Sequence, residues 1–246
     1  MAEPAALYYR RDLALVHHLG FGFHADGCAG GILGLLEPHR RRGGTVLELG
    51  CGSGQLTRHL VDGGHRVIAA DASPAMLELA RAEVPGAMEH RLLVLPDDPL
   101  PAADAVVSVG HVVNYLPDAA SIARAIAAMA AAVRPRGVLV FDVCDLRWGE
   151  LRREQPAMAR VDPEWAIITA FSLPTPDRYV RQMTTFVSAG DGSWRRDDER
   201  HDNILIDTGA LPGLLSAHGV RAEIREELGG YQLPEGIVAV VGIRTG

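Results

Sequence analysis

Lysine is absent: all 24 basic side chains of the 246-residue sequence are arginine. That excludes a lysine Schiff base, with most pyridoxal phosphate chemistry, and a phosphate-loop lysine. Cysteine is scarce. Cys28, Cys51 and Cys144 are widely spaced, odd in number and form no C-x-x-C pair. This argues against a disulfide framework or a zinc site and for a reduced, cytoplasmic protein. No metal site is expected, because His17 and His18 lie mid-helix with no second pair at ligand spacing. Positive charge is also short, with a formal net charge of -7. Duplex nucleic-acid binding feeds on a basic face, so no nucleic-acid partner is expected. No apolar run reaches the length of a membrane span, and the N-terminus lacks a secretory apolar region, so no membrane partner is expected either.

What is present suits one α/β domain. Hydrophobic residues make up 48% of the chain, enough for a sizeable core. Helical spacing is expected over 4–19 and 28–39, joined by Gly20-Phe21-Gly22-Phe23. From Thr45 onward strand and helix alternate. Strands are expected at 45–49, 66–70, 91–95, 105–109 and 138–143, and helices at 55–61, from Pro74 to about 82, and at 118–133. Ser73 is placed to cap the helix that Pro74 opens. This rhythm implies a parallel sheet with right-handed crossovers. After Asp145 a helical stretch at 147–158 leads into period-two segments at 167–171, 179–187 and 194–204, read as an antiparallel meander. The tail reads as a helix at 208–218 and strands near 220–224 and 236–243. The expected organisation is an N-terminal helical cap (1–43), an α/β core (44–145), an inserted helix and meander (146–206), and a final helix with the last two core strands (207–246).

The chemistry concentrates at Glu48-Leu49-Gly50-Cys51-Gly52-Ser53-Gly54, between a strand and a helix. Glycines let a backbone approach a ligand, and the helix that follows offers free N–H groups. The spacing is G-x-G-x-G and does not extend to the G-x-G-x-x-G of dinucleotide folds. Glu48 stands two residues before the first glycine, where a carboxylate can attract a ligand ammonium. Asp71 ends the second strand, where its two oxygens can meet a ribose diol. The alternatives are a tight strand–helix turn with incidental acids, or a nicotinamide dinucleotide site.

Residues 46–54, 71–76, 95–98, 104–108 and 134–137 resemble the successive motifs of class I S-adenosylmethionine-dependent methyltransferases. The resemblance covers about residues 44–143 and, more weakly, the tail. It implies a Rossmann-like seven-stranded α/β sheet, here with N-terminal helices and an inserted antiparallel meander. It implies S-adenosylmethionine as cofactor and S-adenosylhomocysteine as product. Glu48, Gly50, Cys51, Gly52, Gly54, Asp71, Ala72 and Val109 fall on cofactor positions. Asp97 or Asp98 falls where relatives meet the adenine amino group, and Met76 where they pack an apolar side chain against adenine or simply fill the core.

Gly110-His111 looks, more loosely, like the small-molecule N-methyltransferases that act on amino sugars or glycine, which also carry a meander and an N-terminal tyrosine-bearing segment over the site. His111 is the leading general base, or else orders its loop. His201 sits in a charged run that reads as a solvated strand face, with a catalytic or acceptor-binding role as the alternative. Tyr8 and Tyr9 can cover the sulfonium or belong to the core. Asn114 and Tyr115 either touch the acceptor or begin the next helix. The expected function is methyl transfer to an oxygen or nitrogen of a small-molecule metabolite. The alternatives are a catalytically silent S-adenosylmethionine-binding protein and an NAD-dependent oxidoreductase. The meander offers either a lid or a homodimer face.

Overall fold

The computed structural model describes residues 8–40 and 42–246. Two helices, α1 (Arg11–Gly20) and α2 (Phe23–Arg40), precede the sheet. The alternating region then runs β1 (Thr45–Leu49), α3 (Gln55–Asp62), β2 (Arg66–Asp71), α4 (Pro74–Glu83), β3 (Glu89–Leu92) and β4 (Ala103–Ser108). A short 3-10 turn at Val112–Tyr115 leads to α5 (Ala119–Ala132) and β5 (Val133–Cys144). After α6 (Leu146–Glu150) come β6 (Met158–Val161), β7 (Trp165–Thr175), β8 (Arg178–Ser188) and β9 (Trp194–Ile204). The chain closes with α7 (Leu211–Ala217), β10 (Val220–Arg225), a small hairpin of β11 (Glu227–Leu228) and β12 (Tyr231–Gln232), and β13 (Ile237–Arg244).

The main sheet has seven strands in the order β10-β13-β5-β4-β1-β2-β3. Pairing from β5 to β3 is parallel, whereas β13 runs antiparallel to both β5 and β10. The central strands are mostly apolar because both faces are covered, with Glu48 in β1 and Asp142 in β5 as buried exceptions. Leu47, Val106 and Leu139 point into one core with Ile126 of α5 and Leu215 of α7. Their neighbours Val46, Val107 and Val140 point into the other, with Ile32 and Leu36 of α2. The second sheet is an antiparallel meander, β6-β7-β8-β9. Its inner face sets Trp165, Ile167, Met183 and Val187 against Leu13 and Val16 of α1. No single helix among the described residues is long and apolar enough to cross a bilayer.

Several boundaries differ from the sequence reading, each for a local reason. α1 begins at Arg11, not at residue 4: Tyr9 has a left-handed φ of 55°. Residues 4–7 of that expected helix lie outside the described residues. α2 starts five residues earlier than expected, since only two residues separate it from α1. The third strand ends at Leu92, so Leu93, Val94 and Leu95 peel off the sheet edge and line a cavity. The helix expected over 147–158 stops at Glu150, and its end becomes edge strand β6, with Val161 opposite Ala166. The expected caps form: the Ser73 hydroxyl accepts the Met76 N–H at 3.1 Å, and Asp118 accepts the Ser121 N–H at 2.7 Å.

Candidate active site

The carboxyl ends of β1, β2 and β4 open on a cavity of about 370 Å³. Chain order reverses between β1 and β4, the place where open α/β sheets hold ligands. The floor is the glycine loop. Gly50 has φ +70°, and a Cβ there would lie 2.2 Å from Val112 Cγ2, so only glycine lets the loop pass under the segment after β4. A Cβ on Gly52 would meet nothing nearer than Met76 Sδ at 3.9 Å. Gly54, with φ +87°, caps α3 and does not line the cavity.

Asp71 organises this floor. One carboxylate oxygen accepts the Gly52 N–H and the other the Ser73 N–H, each at 2.8 Å. Burial raises its pKa, and these backbone hydrogen bonds oppose the rise. Each oxygen keeps lone-pair capacity toward the cavity. Ala72, Met76 and Val109 line the walls with Asp71, as do Leu93, Val94 and Leu95.

Besides Gly54, four sequence candidates stand away from the cavity. Glu48 is 2% exposed, and its carboxyl accepts the Thr57 hydroxyl at 2.7 Å beneath α3. Burial, with a smaller push from Asp71, raises it to about 8 against the pull of Thr57, so it is mostly protonated at neutral pH. Cys51 is buried, and its thiol donates to the Gly52 carbonyl at 3.5 Å. Asp98 accepts the Val94 N–H at 2.7 Å and holds the turn after β3, whereas Asp97 lies 3.9 Å from Arg124 on the surface.

The roof comes from distant chain segments. Tyr8 and Tyr9 line the cavity. The Tyr9 carbonyl accepts the Ser73 hydroxyl at 2.7 Å. The Tyr9 and Arg10 N–H groups donate to the two oxygens of Glu199 at 2.8 and 2.7 Å. The Tyr9 and Tyr115 hydroxyls are 2.9 Å apart. Tyr115 continues the wall after β4 and receives a hydrogen bond from the Arg181 guanidinium of β8.

His111 follows β4 in a left-handed conformation, φ +51°. Its N–H donates to Asp142 Oδ1 at 2.6 Å, and the Gly110 N–H to Asp142 Oδ2 at 3.1 Å. Asp142, 2% exposed, also meets His24 Nε2 of α2 at 2.6 Å. Burial alone would lower His24, but hydrogen bonds to Asp142 and Cys28 and the Asp142 charge together raise it to about 11. The His111 ring stacks on Tyr115, with centroids 5.9 Å apart and planes at 10°. Burial lowers His111 to about 3, outweighing the opposite pull of Asp142. The imidazole is therefore neutral throughout the physiological range, free to accept a hydrogen bond but a weak proton sink.

His201 is not on a solvated strand face. It is 0% exposed, faces inward from β9, and has Nε2 2.9 Å from Glu199 Oε2. Burial lowers it to about 4. Its ring centroid is 4.6 Å from Tyr8 and 4.9 Å from Tyr9. The charged run misled because successive side chains point to opposite faces of a strand, so Arg200 faces solvent while Glu199 and His201 face inward. Asn114 touches no cavity: fully buried, its amide donates to the carbonyls of Cys144 and Ile204 and accepts the Cys144 N–H. Sequence reasoning missed His24, Asp142 and Arg181. Two carried a signal: Asp142 interrupts an apolar strand, and Arg181 shares inward parity with Tyr179 and Met183. Among the described residues no three His, Cys, Asp or Glu side chains are placed to hold a metal ion.

Residues 46–137 match the methyltransferase domain family. A malonyl-[acyl-carrier protein] O-methyltransferase from Serratia marcescens is 31% identical over 136 residues, covering 54% of this chain and 49% of that protein. The chain thus matches about half the length of that relative. Among solved structures, an S-adenosylmethionine-dependent methyltransferase from Clostridium acetobutylicum superposes with a TM-score of 0.81 at 16% identity, covering 95% of this chain and 98% of the other. A sugar N-methyltransferase from Streptoalloteichus sp. superposes at 0.78 with 22% identity, covering 100% and 99%. These two likenesses establish the fold.

Proposed function

We propose that this chain, whose residues 46–137 match a methyltransferase domain and whose fold is shared with an S-adenosylmethionine-dependent methyltransferase, transfers a methyl group from S-adenosylmethionine to an oxygen or nitrogen of a small-molecule acceptor. The observation that carries the reading is the cavity at the β1/β4 reversal, where Gly50, Gly52 and Asp71 face the tyrosine roof. The residues fit the donor. Asp71 has acceptor capacity left for two ribose hydroxyls, and Met76 and Leu93 supply apolar walls for a base. The open space beside Gly52 admits the ligand backbone where a side chain would intrude.

The donor supplies an electrophilic methyl on a sulfonium, so the protein's task is alignment and exclusion of water. Tyr8 and Tyr9 cover the cavity, and their aromatic rings and hydroxyls favour a cation beneath them. The acceptor belongs on the side of Tyr115, His111 and the meander. There neutral His111, whose Nδ1 has no partner, orients an acceptor by hydrogen bonding, while His201, held between Glu199 and Arg181, supports the tyrosine roof. Glu48, Cys51 and Gly54 act at one remove, by holding the glycine loop. The sugar N-methyltransferase likeness supports a small molecule on that side.

Calorimetric titration with S-adenosylhomocysteine and with NAD tests the donor. Binding of the first alone is expected, and binding of NAD alone would refute the reading. Incubating a metabolite extract with methyl-labelled S-adenosylmethionine and isolating the labelled product then tests chemistry. Donor binding without any transferred label would favour a silent binding protein.

A further inference from the structure

Behind the tyrosine roof lies a cation with no carboxylate of its own. The guanidinium of Arg181 hydrogen-bonds the Tyr115 hydroxyl and lies 3.3 Å from His201 Nδ1, while its Nε is buried with no partner. None of the ion pairs among the described residues includes Arg181. The nearby buried carboxylates are committed elsewhere. Glu199 serves Tyr9, Arg10 and His201, and Asp142 serves His24, Gly110 and His111. A buried charge without a counter-charge is costly, and a buried donor without an acceptor adds to the cost.

Further polar atoms nearby are also left open. His111 Nδ1, Trp148 Nε1 and both amide atoms of Asn203 are buried without a completed hydrogen bond. Aromatic contacts and strand register bring them together: Trp148 lies 6.3 Å from His111 and 6.4 Å from Tyr179, and Asn203 is opposite Tyr179 in the β8–β9 register. A second cation, Arg152, lies 3.1 Å over the Trp148 ring. Arg181 Nε and Trp148 Nε1 can only donate. A set dominated by donors and positive charge calls for an oxygen-rich anion.

We propose that the methyl acceptor carries an oxyanion, a carboxylate or a phosphate ester, which docks on Arg181 beside Trp148 and Asn203 on the meander side of Tyr115. This rests on the methyl-transfer reading, because it treats the meander side as the acceptor side. That reading also gives it a second reason. A sulfonium on one side of Tyr9 and Tyr115 and Arg181 on the other repel, and an anionic acceptor relieves the repulsion.

The test is titration of the full chain with sodium acetate, inorganic phosphate and acetamide, at constant ionic strength, with and without saturating S-adenosylhomocysteine. Tryptophan fluorescence and the thermal midpoint are the readouts. One oxyanion is expected to saturate a single site at least about tenfold more tightly than acetamide. The Arg181→Gln variant should lose that preference, and Arg181→Lys should keep part of it. Preference for acetate identifies the carboxylate, and preference for phosphate the ester. Equal affinity for acetamide and both anions, or an unchanged anion response in Arg181→Gln, overturns the proposal. Should Arg181→Gln fail to fold, the decision falls to Trp148→Phe, expected to weaken the anion several-fold; unchanged affinity there overturns it too. S-adenosylhomocysteine binding in the same samples judges the methyl-transfer reading separately, because the anion response is read with and without it.

Discussion

Asp71 has two duties at the scale of the single residue. It accepts backbone N–H groups from the glycine loop and from the start of α4, and it presents its remaining lone pairs to the cavity. Asp71→Ala is expected to weaken S-adenosylhomocysteine binding by about 1–3 kcal/mol, read by calorimetry. Unchanged affinity would refute the ribose role. His24 and Asp142 set the second expectation. His24 is raised from 6.5 to about 11 in the folded protein, so between those values the folded state holds a proton the unfolded chain has lost. Its contribution is complete below pH 6.5 and fades as pH rises toward 11. Asp142 is shifted the other way, despite its burial, so its share is present above its unfolded value near 3.8 and fades in acid. Urea titrations should show stability falling from pH 7 to pH 10. In His24→Ala that slope should flatten, with a loss of about 3 kcal/mol at pH 7. A slope equal to that of the unsubstituted protein would show that another group titrates. Asp142 was visible in the sequence as an acid inside an apolar strand. Its partner was not, because His24 lies 118 positions away.

At the scale of elements, Asn114 joins parts that the chain order separates. Its side chain links the end of β5 to the end of β9, so the meander is anchored to the main sheet at that point. Asn114→Ala would remove three hydrogen bonds to buried backbone groups. A loss of about 2–4 kcal/mol is expected from denaturant unfolding, with faster amide exchange in β9 than in β1. Uniform exchange across both strands would argue against a local anchor. The βαβ elements were legible because apolar runs, caps and glycines act within a few residues. Ser73, Pro74 and Asp118 did what their types favour at helix starts. The edges were less legible. β3 ends early and α6 is short because neighbouring segments compete for them: the cavity takes Leu93 to Leu95, and β7 takes Met158 to Val161.

Over the whole molecule the candidate site is a closure between three regions. The glycine loop forms the floor, residues 8–10 the roof, and the meander holds the roof down. Glu199 is the latch, for its carboxylate accepts the N–H groups of both Tyr9 and Arg10. Outlying pairs, Arg10 with Asp197 and Arg195 with Asp12, repeat the attachment at 2.7 and 2.8 Å. They lie at partly exposed positions and add little alone. Glu199→Ala should therefore release the N-terminal segment. A roughly tenfold or greater loss of S-adenosylhomocysteine affinity is expected, with proteolysis near Arg10 and Arg11 appearing in the absence of ligand. Retained affinity with an intact N-terminus would show that the roof does not depend on this latch.

By itself the sequence determined the α/β sheet and set the glycine loop and Asp71 at its carboxyl edge. Both rest on short-range signals: apolar strand runs, a glycine loop between β1 and α3, and an acid at the end of β2. Tertiary structure alone decided which side chains hold the roof to the meander. Tyr9, Glu199, Arg181 and His201 meet across as many as 192 positions, because β8 and β9 fold back over α1. It also decided the protonation of His111, His201 and Glu48, which follows from burial and neighbours rather than residue type. Charge and hydrogen bonding depend on what surrounds a group, and those surroundings exist only once distant segments have packed.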